Sequence, residues 1–341
     1  MFNLLENDAR QVLSHVDLGY FEGKSVLITG ASGLIGINLL SVFKLYMKIT
    51  GCNINCKALI KSEPESYFID LCNKYIDWRC FDLANNDISN SLDSYDVIIH
   101  LATYGQPSKF INDKLSTIKL NTGVVINLFH LLKPKGKFLY LSSSEVYSGL
   151  EGMHSEDEIG TTDYSHPRAC YIESKKFGET ICKLYKDMDI DVKVVRLGLG
   201  YGMGVKSNDN RVLNELIMQG LMCAEISLRD KGEALRSYIY ITDVVESMLN
   251  ILLFGKEFIY NIGGNETISI KQLAELIGDK LNKPVKIPTS TTEDYQTGSP
   301  KCVLLYTAKY LDEFYGRELI KINDGIDKVI EWYSTMFHGG F

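Results

Sequence analysis

Ser25-Val-Leu-Ile-Thr29-Gly30-Ala-Ser-Gly33-Leu-Ile-Gly36 is the stretch of this sequence that decides the fold. An apolar run of strand length ends at Thr29, glycines follow at every third position, and the pattern predicts a helix from Ile37. Gly30 permits a tight turn, Gly33 allows another group to approach the backbone, and Gly36 lets the helix pack closely on the strand. The stretch therefore predicts a strand, a glycine turn and a helix in immediate succession.

Further apolar runs of strand length follow along the chain. They lie at Cys56–Ile60, Ile76–Phe81, Asp96–Leu101, Lys137–Leu141 and Val192–Leu197. Segments of helix length separate most of them, which is typical of a parallel sheet with helices on both faces. Their continuous Val, Ile and Leu content suits strands that are buried on both sides. We therefore predict an α/β fold built on a Rossmann-type, doubly wound parallel sheet.

Two regions flank this alternating pattern. Residues 1–22 are predicted to form a helical extension before the first strand. After Gly202 the pattern becomes less regular, with helices expected near 211–221, 243–254 and 270–281 and a strand near 226–228. We predict a dinucleotide-type domain over 1–202 and a smaller α/β substrate domain mainly over 203–341, with some segments returning to the first domain. The second domain is expected at the carboxyl edge of the sheet, where ligands bind in open α/β folds.

The composition excludes several classes of protein. The chain of 341 residues is 45% hydrophobic and carries a net charge of −7, which argues against a nucleic-acid partner because such proteins present a basic face. Its cysteines stand at positions 52, 56, 72, 80, 170, 182, 223 and 302, without Cys-x-x-Cys pairs or zinc-ligand spacing. The charged N-terminus is unlike a signal peptide, and the longest apolar run, near 124–132, is too short for a bilayer. We expect a reduced, cytoplasmic protein with no metal, membrane or nucleic-acid partner.

The glycine turn also suggests a ligand. A turn of this spacing between a strand and a helix brings backbone N–H groups to the pyrophosphate of a dinucleotide at the helix N-terminus. Glycines alone are a weak signal, but their position near the start of the chain favours cofactor binding over an ordinary loop. The expected contacts are Gly30, Ser32, Gly33, Leu34, Ile35 and Gly36.

The end of the second strand bears on the choice between NAD and NADP. An acidic residue there accepts hydrogen bonds from the ribose 2′-hydroxyl of NAD. This chain has Lys61 and Ser62 instead, which suit a 2′-phosphate and favour NADP, although Glu63 can still turn inward. Asp82 and Leu83 follow the third strand and can meet the adenine edge.

Tyr171 and Lys175 form a candidate catalytic pair. They stand four residues apart, on one face of a predicted helix. An ammonium group near a phenol favours the phenolate, which lowers the tyrosine pKa and lets it take a proton from a sugar hydroxyl while hydride leaves. Ser143 ends the fifth strand and can hydrogen-bond the same hydroxyl. Tyr-x-x-x-Lys is common by chance and a serine run often caps a helix, but the order of these three residues favours catalysis.

Together these motifs resemble the extended short-chain dehydrogenase/reductases of the NAD-dependent epimerase/dehydratase family, over about residues 22–335. The resemblance also includes His100-Leu-Ala102, Asn121 and the segment Arg236-Ser-Tyr-Ile-Tyr-Ile-Thr-Asp243. It implies a catalytic triad of Ser143, Tyr171 and Lys175. It implies cofactor contacts that add Leu101, Ala102, Thr103, Asn121, Tyr171 and Lys175 to those above. It also implies contacts to a nucleotide-diphosphate sugar from Gln106, Ser144, Arg211, Val212 and Arg236. Arg211 has the alternative of an ordinary surface charge.

The same resemblance implies a homodimer. Family members usually pair two long helices per subunit into a bundle. The candidate helices in this chain span residues 112–132 and 169–188.

Local segments resemble the UDP-glucuronate decarboxylases within that family. They are Ser143-Ser-Glu145-Val-Tyr147, Pro167-Arg-Ala-Cys-Tyr171 and Asn208-Asp-Asn-Arg211-Val212. Enzymes of the family often oxidise C4 of the sugar, and a uronic acid then becomes a β-keto acid that can lose CO2. Glu145 is expected to act at C5 or C6, or else to cap the adjacent loop. A 4-epimerase and a 4,6-dehydratase remain as alternatives.

The sequence also departs from the family pattern. Leu199 replaces an asparagine that usually lies near the diphosphate, Lys61 replaces the acidic residue for NAD, and Pro300-Lys301 stands where an arginine is common. A different class of function, a dinucleotide-binding sensor without catalysis, is the remaining hypothesis. The complete set of Ser143, Tyr171 and Lys175 argues against it, since a sensor does not need all of them.

Overall fold

The computed structural model describes residues 2–88, 91–288, 302–314 and 317–338, so Pro300-Lys301 lies outside the described residues. The strands are β1 Ser25–Thr29, β2 Asn55–Ile60, β3 Asp77–Cys80, β4 Tyr95–His100, β5 Leu132–Ser143, β6 Met153–His154, β7 Asp191–Leu197, β8 Leu199–Tyr201, β9 Ile226–Ser227, β10 Leu235–Arg236, β11 Tyr238–Tyr240, β12 Ile259–Ile262, β13 Ile268–Ser269, β14 Val285–Lys286 and β15 Cys302–Leu305. The helices are α1 Phe2–Leu13, α2 Leu34–Thr50, α3 Ser66–Cys72, α4 Pro107–Asn112, α5 Lys114–Asn121, α6 Gly123–Phe129, α7 Ala169–Asp187, α8 Val212–Met222, α9 Ile241–Phe254, α10 Ile270–Leu281, α11 Ala308–Glu313 and α12 Ile322–His338. Short 3₁₀ turns lie at Gly19–Phe21 and Ser144–Tyr147.

A seven-stranded sheet in the order β12-β7-β5-β4-β1-β2-β3 forms the centre of the molecule. Its neighbouring strands are all parallel. The predicted parallel sheet is therefore confirmed, and each predicted strand of 1–202 lies in it. Sequence analysis did not predict β12, which has only four residues. It also started β5 at Lys137, whereas the strand begins at Leu132.

Both faces of this sheet are buried. Along β1, Val26 and Ile28 belong to one apolar core, while Leu27 between them belongs to another. Side chains of a strand alternate between the two faces, so the two cores lie on opposite sides of the sheet. This explains why the strands read as continuous apolar runs rather than as alternating ones.

The predicted N-terminal extension is a helix, α1, that is tied to the rest of the chain. Leu5, Ala9 and Val12 are buried in the same core as α2. Asp8 is also buried, and it accepts hydrogen bonds from Lys328 Nζ at 2.6 Å and from the hydroxyl of Tyr240 at 2.7 Å. The extension is therefore part of the folded core.

The prediction of one long helix over 112–132 is wrong. Asp113 caps a new helix, α5, by accepting a hydrogen bond from Ser116 N at 3.1 Å. Thr122, with φ −129° and ψ −84°, ends α5 and precedes α6, and β5 starts at Leu132. The other predicted long helix, over 169–188, is confirmed as α7.

The helices predicted after Gly202 are present as α8, α9 and α10. Two of the later segments return to the central sheet: β12 pairs with β7, and Val245 and Leu249 of α9 share a core with Leu39 of α2. A four-stranded sheet of β13, β10, β15 and β6 lies apart from the central one. The division into domains at residue 202 stays a prediction.

Candidate active site

The glycine turn joins β1 to α2 at the carboxyl edge of the sheet. Gly30 has φ +67°, and an added Cβ would lie 2.8 Å from the backbone of Ala102. A Cβ on Gly36 would lie 2.5 Å from the carbonyl oxygen of Ala31. Glycine is therefore required at both positions by close backbone packing. Helix α2 begins at Leu34, three residues before the predicted start, because Gly33 is its N-cap.

This turn provides a cradle for an anion. Gly33 has no side chain with which to cap α2, so the N–H groups of the first turn face outward from a helix of 17 residues. Gly33 is exposed and Ser32, Leu34 and Ile35 are half-buried, which leaves the turn accessible. The predicted contacts in this turn thus share one surface, and their role in binding a cofactor stays a prediction.

His100 connects the first and fourth strands beside that turn. Its Nδ1 lies 2.8 Å from Thr29 Oγ1, and its Nε2 lies 2.9 Å from the carbonyl oxygen of Leu120. Thr29 Oγ1 accepts a hydrogen bond from Ala102 N at 3.2 Å, so its own hydrogen points to His100. Burial lowers the pKa of His100 to about 3, so the ring is neutral and donates from Nε2. Sequence analysis noted this residue without assigning it a role.

Lys61, at the end of β2, is already surrounded by polar partners. Its ammonium lies 3.6 Å from Asp82 Oδ2, bonds the hydroxyl of Tyr104 and sits 5.0 Å from the centroid of that ring. The Tyr104 hydroxyl in turn donates to Asp113 at 3.1 Å. The hydrogen bond to Tyr104 raises the pKa of Lys61, and nearby Asp82 and Asp113 act in the same direction. The predicted adenosine-side residues Lys61 and Asp82 therefore lie together, whereas Ser62 is exposed and Leu83 is buried.

Ser143, Tyr171 and Lys175 come together at the carboxyl ends of the central strands. Ser143 is the last residue of β5, and its side chain hydrogen-bonds the phenol of Tyr171 on α7. Lys175 Nζ lies 2.6 Å from the carbonyl oxygen of Leu141 and 6.0 Å from the centroid of the Tyr171 ring. Ser143 Oγ also accepts a hydrogen bond from Glu145 N at 3.2 Å, so the serine additionally caps the 3₁₀ turn. The predicted constellation is thus assembled by the fold.

The electrostatics of this group differ from the prediction. Burial raises the pKa of Tyr171 to about 12, although the hydrogen bond from Ser143 and the positive charges of Arg168 and Arg211 lower it. Burial also lowers the pKa of Lys175 to about 7. The expected depression of the tyrosine pKa is therefore not found here, because the loss of hydration outweighs the favourable contacts.

Asn121 supports α7 from the side. Its Nδ2 donates to Ser174 Oγ at 2.9 Å, and Ser174 donates to the carbonyl oxygen of Tyr171 at 3.0 Å. Asn121 Oδ1 and Thr103 Oγ1 are buried and have no hydrogen-bond partner among the described residues. The amide oxygen of Asn121 can accept a hydrogen bond from a ligand, and the hydroxyl of Thr103 can donate or accept one. Both are consistent with the cofactor contacts predicted for these residues.

Glu145 lies in the 3₁₀ turn that follows Ser143, and it is largely buried. Its carboxylate forms an ion pair with Arg168, whose Nη1 lies 2.9 Å from Glu145 Oε1. Burial raises the pKa of Glu145, while Arg168, His166 and Arg236 lower it in that order. Two arginines and a histidine thus act on one carboxylate, and Arg168 is in direct contact with it.

The residues predicted to contact the substrate differ from one another in their partners and in their exposure. Arg211 makes a bidentate pair with Asp209, at 2.8 to 3.1 Å, which offsets its charge. Arg236 donates to the carbonyl oxygen of Leu235 at 2.7 Å, and burial lowers its pKa. Val212 is 43% exposed at the start of α8, and Ser144 is buried. Gln106 is the half-buried N-cap residue of α4.

Sequence analysis missed Phe110 and the role of Arg168. The ring of Phe110 stacks on that of Tyr171, with centroids 4.6 Å apart and an angle of 11° between the planes. No signal in the sequence marks Phe110, since it is one apolar residue in a short helix. Arg168 stands in the segment quoted above for its resemblance to decarboxylases, three residues before Tyr171.

All eight cysteines are free thiols. Within residues 2–88, 91–288, 302–314 and 317–338, no group of three or more His, Cys, Asp or Glu side chains is placed to hold a metal ion. No helix in the described part of the chain is long and apolar enough to cross a bilayer.

Comparisons with known proteins identify the family that this chain matches. A family model described as the NAD dependent epimerase/dehydratase family matches residues 26–263. UDP-glucuronic acid decarboxylase 1 of Xenopus tropicalis is 29% identical over 321 residues, which cover 91% of this chain and 72% of the relative. UDP-glucuronic acid decarboxylase 6 of Arabidopsis thaliana is 28% identical over 285 residues, 81% of this chain and 80% of the relative.

A solved structure also matches. UDP-glucuronic acid 4-epimerase from Bacillus cereus, in complex with UDP-glucuronic acid and NAD, superposes with a TM-score of 0.76. It is 23% identical, and the match covers 92% of this chain and 99% of that one. At this identity the likeness shows the fold, which confirms the Rossmann-type architecture.

Proposed function

We propose, from the premise that this chain belongs to the NAD dependent epimerase/dehydratase family, that it oxidises C4 of a UDP-uronic acid and removes its carboxyl group as CO2. The observation that carries this proposal is the surroundings of Glu145. Arg168 and Arg236 both act on this one carboxylate beside Tyr171, so the pocket has one guanidinium charge to spare for a second carboxylate. The decarboxylases among its relatives support the same substrate class.

The residues present fit a nicotinamide dinucleotide. The uncapped first turn of α2 suits a pyrophosphate. The buried oxygens of Thr103 and Asn121, which have no hydrogen-bond partner in the described part of the chain, suit the nicotinamide half. We propose NAD rather than the NADP favoured by the sequence alone. The family is NAD dependent, and Lys61 already has the carboxylate of Asp82 beside it, which would repel a 2′-phosphate. When bound, the cofactor supplies the acceptor, and later the donor, of the hydride at C4.

Tyr171 is the proposed general base for the oxidation at C4. Its phenolate takes the hydroxyl proton while the C4–H bond gives up hydride, which leaves a ketone. Ser143 hydrogen-bonds the phenol and can orient the same hydroxyl. Burial lowers the pKa of Lys175 to about 7, so this lysine can exchange a proton near neutral pH. In the last step the same tyrosine returns its proton to the C4 oxygen.

The ketone at C4 activates the carboxyl group on C5. The C5–C6 bond breaks, CO2 leaves, and the electron pair passes into an enolate over C4 and C5. A proton added at C5 then restores the ketone. Glu145 is the candidate to hold or deliver that proton, and Arg236 is the candidate to orient the departing carboxylate.

Product masses test this proposal. The purified protein is incubated with a panel of nucleotide sugars that includes UDP-glucuronate, with NAD and NADP supplied separately. We expect the uronate to lose about 44 mass units, the mass of CO2, with NAD, and Tyr171→Phe to abolish that loss. A loss of about 18 units, the mass of water, from a neutral hexose identifies a dehydratase instead.

A 4-epimerase is the second candidate. The solved Bacillus cereus relative is named as a UDP-glucuronic acid 4-epimerase, and it has the same type of fold. Such a reaction uses the same oxidation at C4 but keeps the carboxyl group, so the product has the mass of the substrate. Proton NMR of the sugar ring distinguishes it, since inversion at C4 changes the couplings of H4.

We also propose that the protein is a homodimer through the faces of α5 and α7. Large apolar side chains are exposed there: Leu115 (65%), Ile118 (41%), Phe177 (56%) and Leu184 (59%). Apolar patches of this kind mark interaction sites more often than free surface. The predicted bundle pairs two long helices from each subunit. Because the first of these helices is broken at Thr122, α5 is shorter than α7.

A further inference from the structure

Arg168 and Phe110 form a connection between the two groups to which the proposed reaction assigns proton transfers. Arg168 is 6% exposed and Phe110 is 2% exposed. The Phe110 ring stacks on Tyr171 with centroids 4.6 Å apart, and the guanidinium of Arg168 lies 5.4 Å from the centroid of the same Phe110 ring. Tyr171 and Arg168 therefore both contact the ring of Phe110.

The guanidinium also holds Glu145. Arg168 Nη1 lies 2.9 Å from Glu145 Oε1, within a pocket in which only 20% of the glutamate side chain is exposed. Because a buried carboxylate loses its hydration, a close cation is needed to keep it ionised. Arg168 Nε is buried and has no hydrogen-bond partner among the described residues. The orientation of the guanidinium therefore depends on Phe110 and Glu145.

Helix geometry explains how one arginine can serve both groups. Arg168 is the N-cap residue of α7 and precedes Tyr171 by three positions, so the two residues are neighbours at the start of the helix. Phe110 comes from α4 and Glu145 from the turn after β5. Separate segments thus meet at a single guanidinium.

We infer that Arg168 is a positioning residue that fixes the carboxylate of Glu145 relative to the phenol of Tyr171, with Phe110 as the spacer between them. This inference rests on the proposed function, because it takes Glu145 and Tyr171 to act in one reaction. It adds the residue that couples the oxidation at C4 to the proton transfer at C5. The basic groups that act on Glu145 are the guanidinium groups of Arg168 and Arg236 and the imidazole of His166, and Arg168 lowers the Glu145 pKa most.

A titration that does not depend on activity tests the geometry. Protein labelled with [13Cδ]glutamate is titrated by NMR with NAD bound, and the Glu145 resonance is identified by its loss in Glu145→Gln. We expect Arg168→Gln to raise the Glu145 pKa by about 1–3 units, the range for the loss of an adjacent opposite charge, and Arg168→Lys to raise it less. Lys183→Gln, which removes an exposed cation from the same helix, is the matched control and should leave it unchanged.

Kinetics with the uronate substrate then test the role. Arg168→Gln should lower kcat at least tenfold with KM changed less than threefold, and the acidic limb of the pH profile should move with the Glu145 pKa. Phe110→Leu should lower kcat while leaving the Glu145 pKa unchanged. In Glu145→Gln/Arg168→Gln, the effects should not add, since both changes break one contact.

The outcomes separate this inference from the proposed function. If the Glu145 pKa in Arg168→Gln equals that in the wild type, the inference is overturned. The inference is also overturned if the Glu145 pKa rises in Arg168→Gln while kcat stays within twofold of the wild type, because the ion pair then has only a structural role. If the wild type leaves every uronate unchanged while the titration moves as expected, the proposed function fails, and the positioning role of Arg168 in that reaction fails with it.

Discussion

His100 should make the folding stability of this protein strongly dependent on pH. Its ring is 1% exposed and lies between Thr29 Oγ1 and the carbonyl oxygen of Leu120. Burial lowers its pKa to about 3, whereas a histidine in the unfolded chain has a pKa of about 6.5. Below pH 6.5 the unfolded chain therefore binds a proton that the folded chain does not, and stability is lost as the pH falls from 6.5 towards 3.

The size of the effect follows from the two pKa values. Each pH unit below about 6.5 costs about 1.4 kcal/mol, so between pH 7 and pH 5 the histidine accounts for a loss of about 2 kcal/mol. His100→Gln keeps a donor towards Leu120 but has no proton to gain. The variant should be less stable at pH 7 because it fits the site less well, yet its stability should fall less steeply with acid.

Urea unfolding followed by circular dichroism at half-unit steps from pH 7 to pH 5 measures the difference. With a urea m-value of about 3 kcal/mol/M, the wild-type midpoint should fall by about 0.6 M more than that of His100→Gln. His130→Gln, at an exposed position, is the control and should follow the wild type. Parallel curves for the wild type and His100→Gln would refute the assignment of a buried neutral ring.

Other predictions address catalysis, the core and assembly. Tyr171→Phe should lose at least 100-fold in kcat, as expected for removal of a general base, while isothermal titration calorimetry shows NAD binding within twofold of the wild type; unaltered turnover would contradict the role of Tyr171 as the base, whereas a wild type that binds NAD but turns over no nucleotide sugar would favour the sensor hypothesis. Arg196→Met should destabilise by about 3–5 kcal/mol, because it leaves Glu179 buried without its bidentate partner at 2.9 and 3.0 Å. The double variant Arg196→Met/Glu179→Leu should recover part of this loss in thermal melts, and a double variant worse than the single one contradicts that account. Phe177→Glu should convert the proposed dimer to a monomer in sedimentation velocity, whereas Tyr164→Glu, at a residue 94% exposed, should not; a wild type that sediments as a monomer ends the dimer proposal.

Much of the fold was predictable because its signals are local. The strand β1, its glycine turn and the following helix lie in one continuous stretch, and backbone packing at Gly30 and Gly36 requires glycine. Strands buried on both faces must be apolar throughout, so they stand out from the helices between them. The start of α2 was misplaced because a helix can begin directly at a glycine N-cap, and the pattern of apolar side chains does not mark that position.

Sequence spacing placed Tyr171 and Lys175 on one helix face, and the order of motifs placed Ser143 beside them. It could not give their protonation, since a pKa depends on burial and on neighbours from other segments. The structure buries Tyr171, and its pKa rises to about 12 where the Tyr-x-x-x-Lys pattern alone predicted a decrease. Likewise, Lys61 favours a phosphate when considered alone, but Asp82, 21 residues away along the chain, lies 3.6 Å from it.

The sequence by itself thus determined the strand–turn–helix unit and the parallel sheet, and it indicated the candidate catalytic side chains, because each is encoded within a few residues. Only the tertiary structure decided that β12 completes the sheet, that α5 ends at Thr122 and that Phe110 stacks on Tyr171. It also brought Arg168 within 2.9 Å of Glu145. These features depend on contacts between segments far apart in the chain, whose distances and burial no local pattern records.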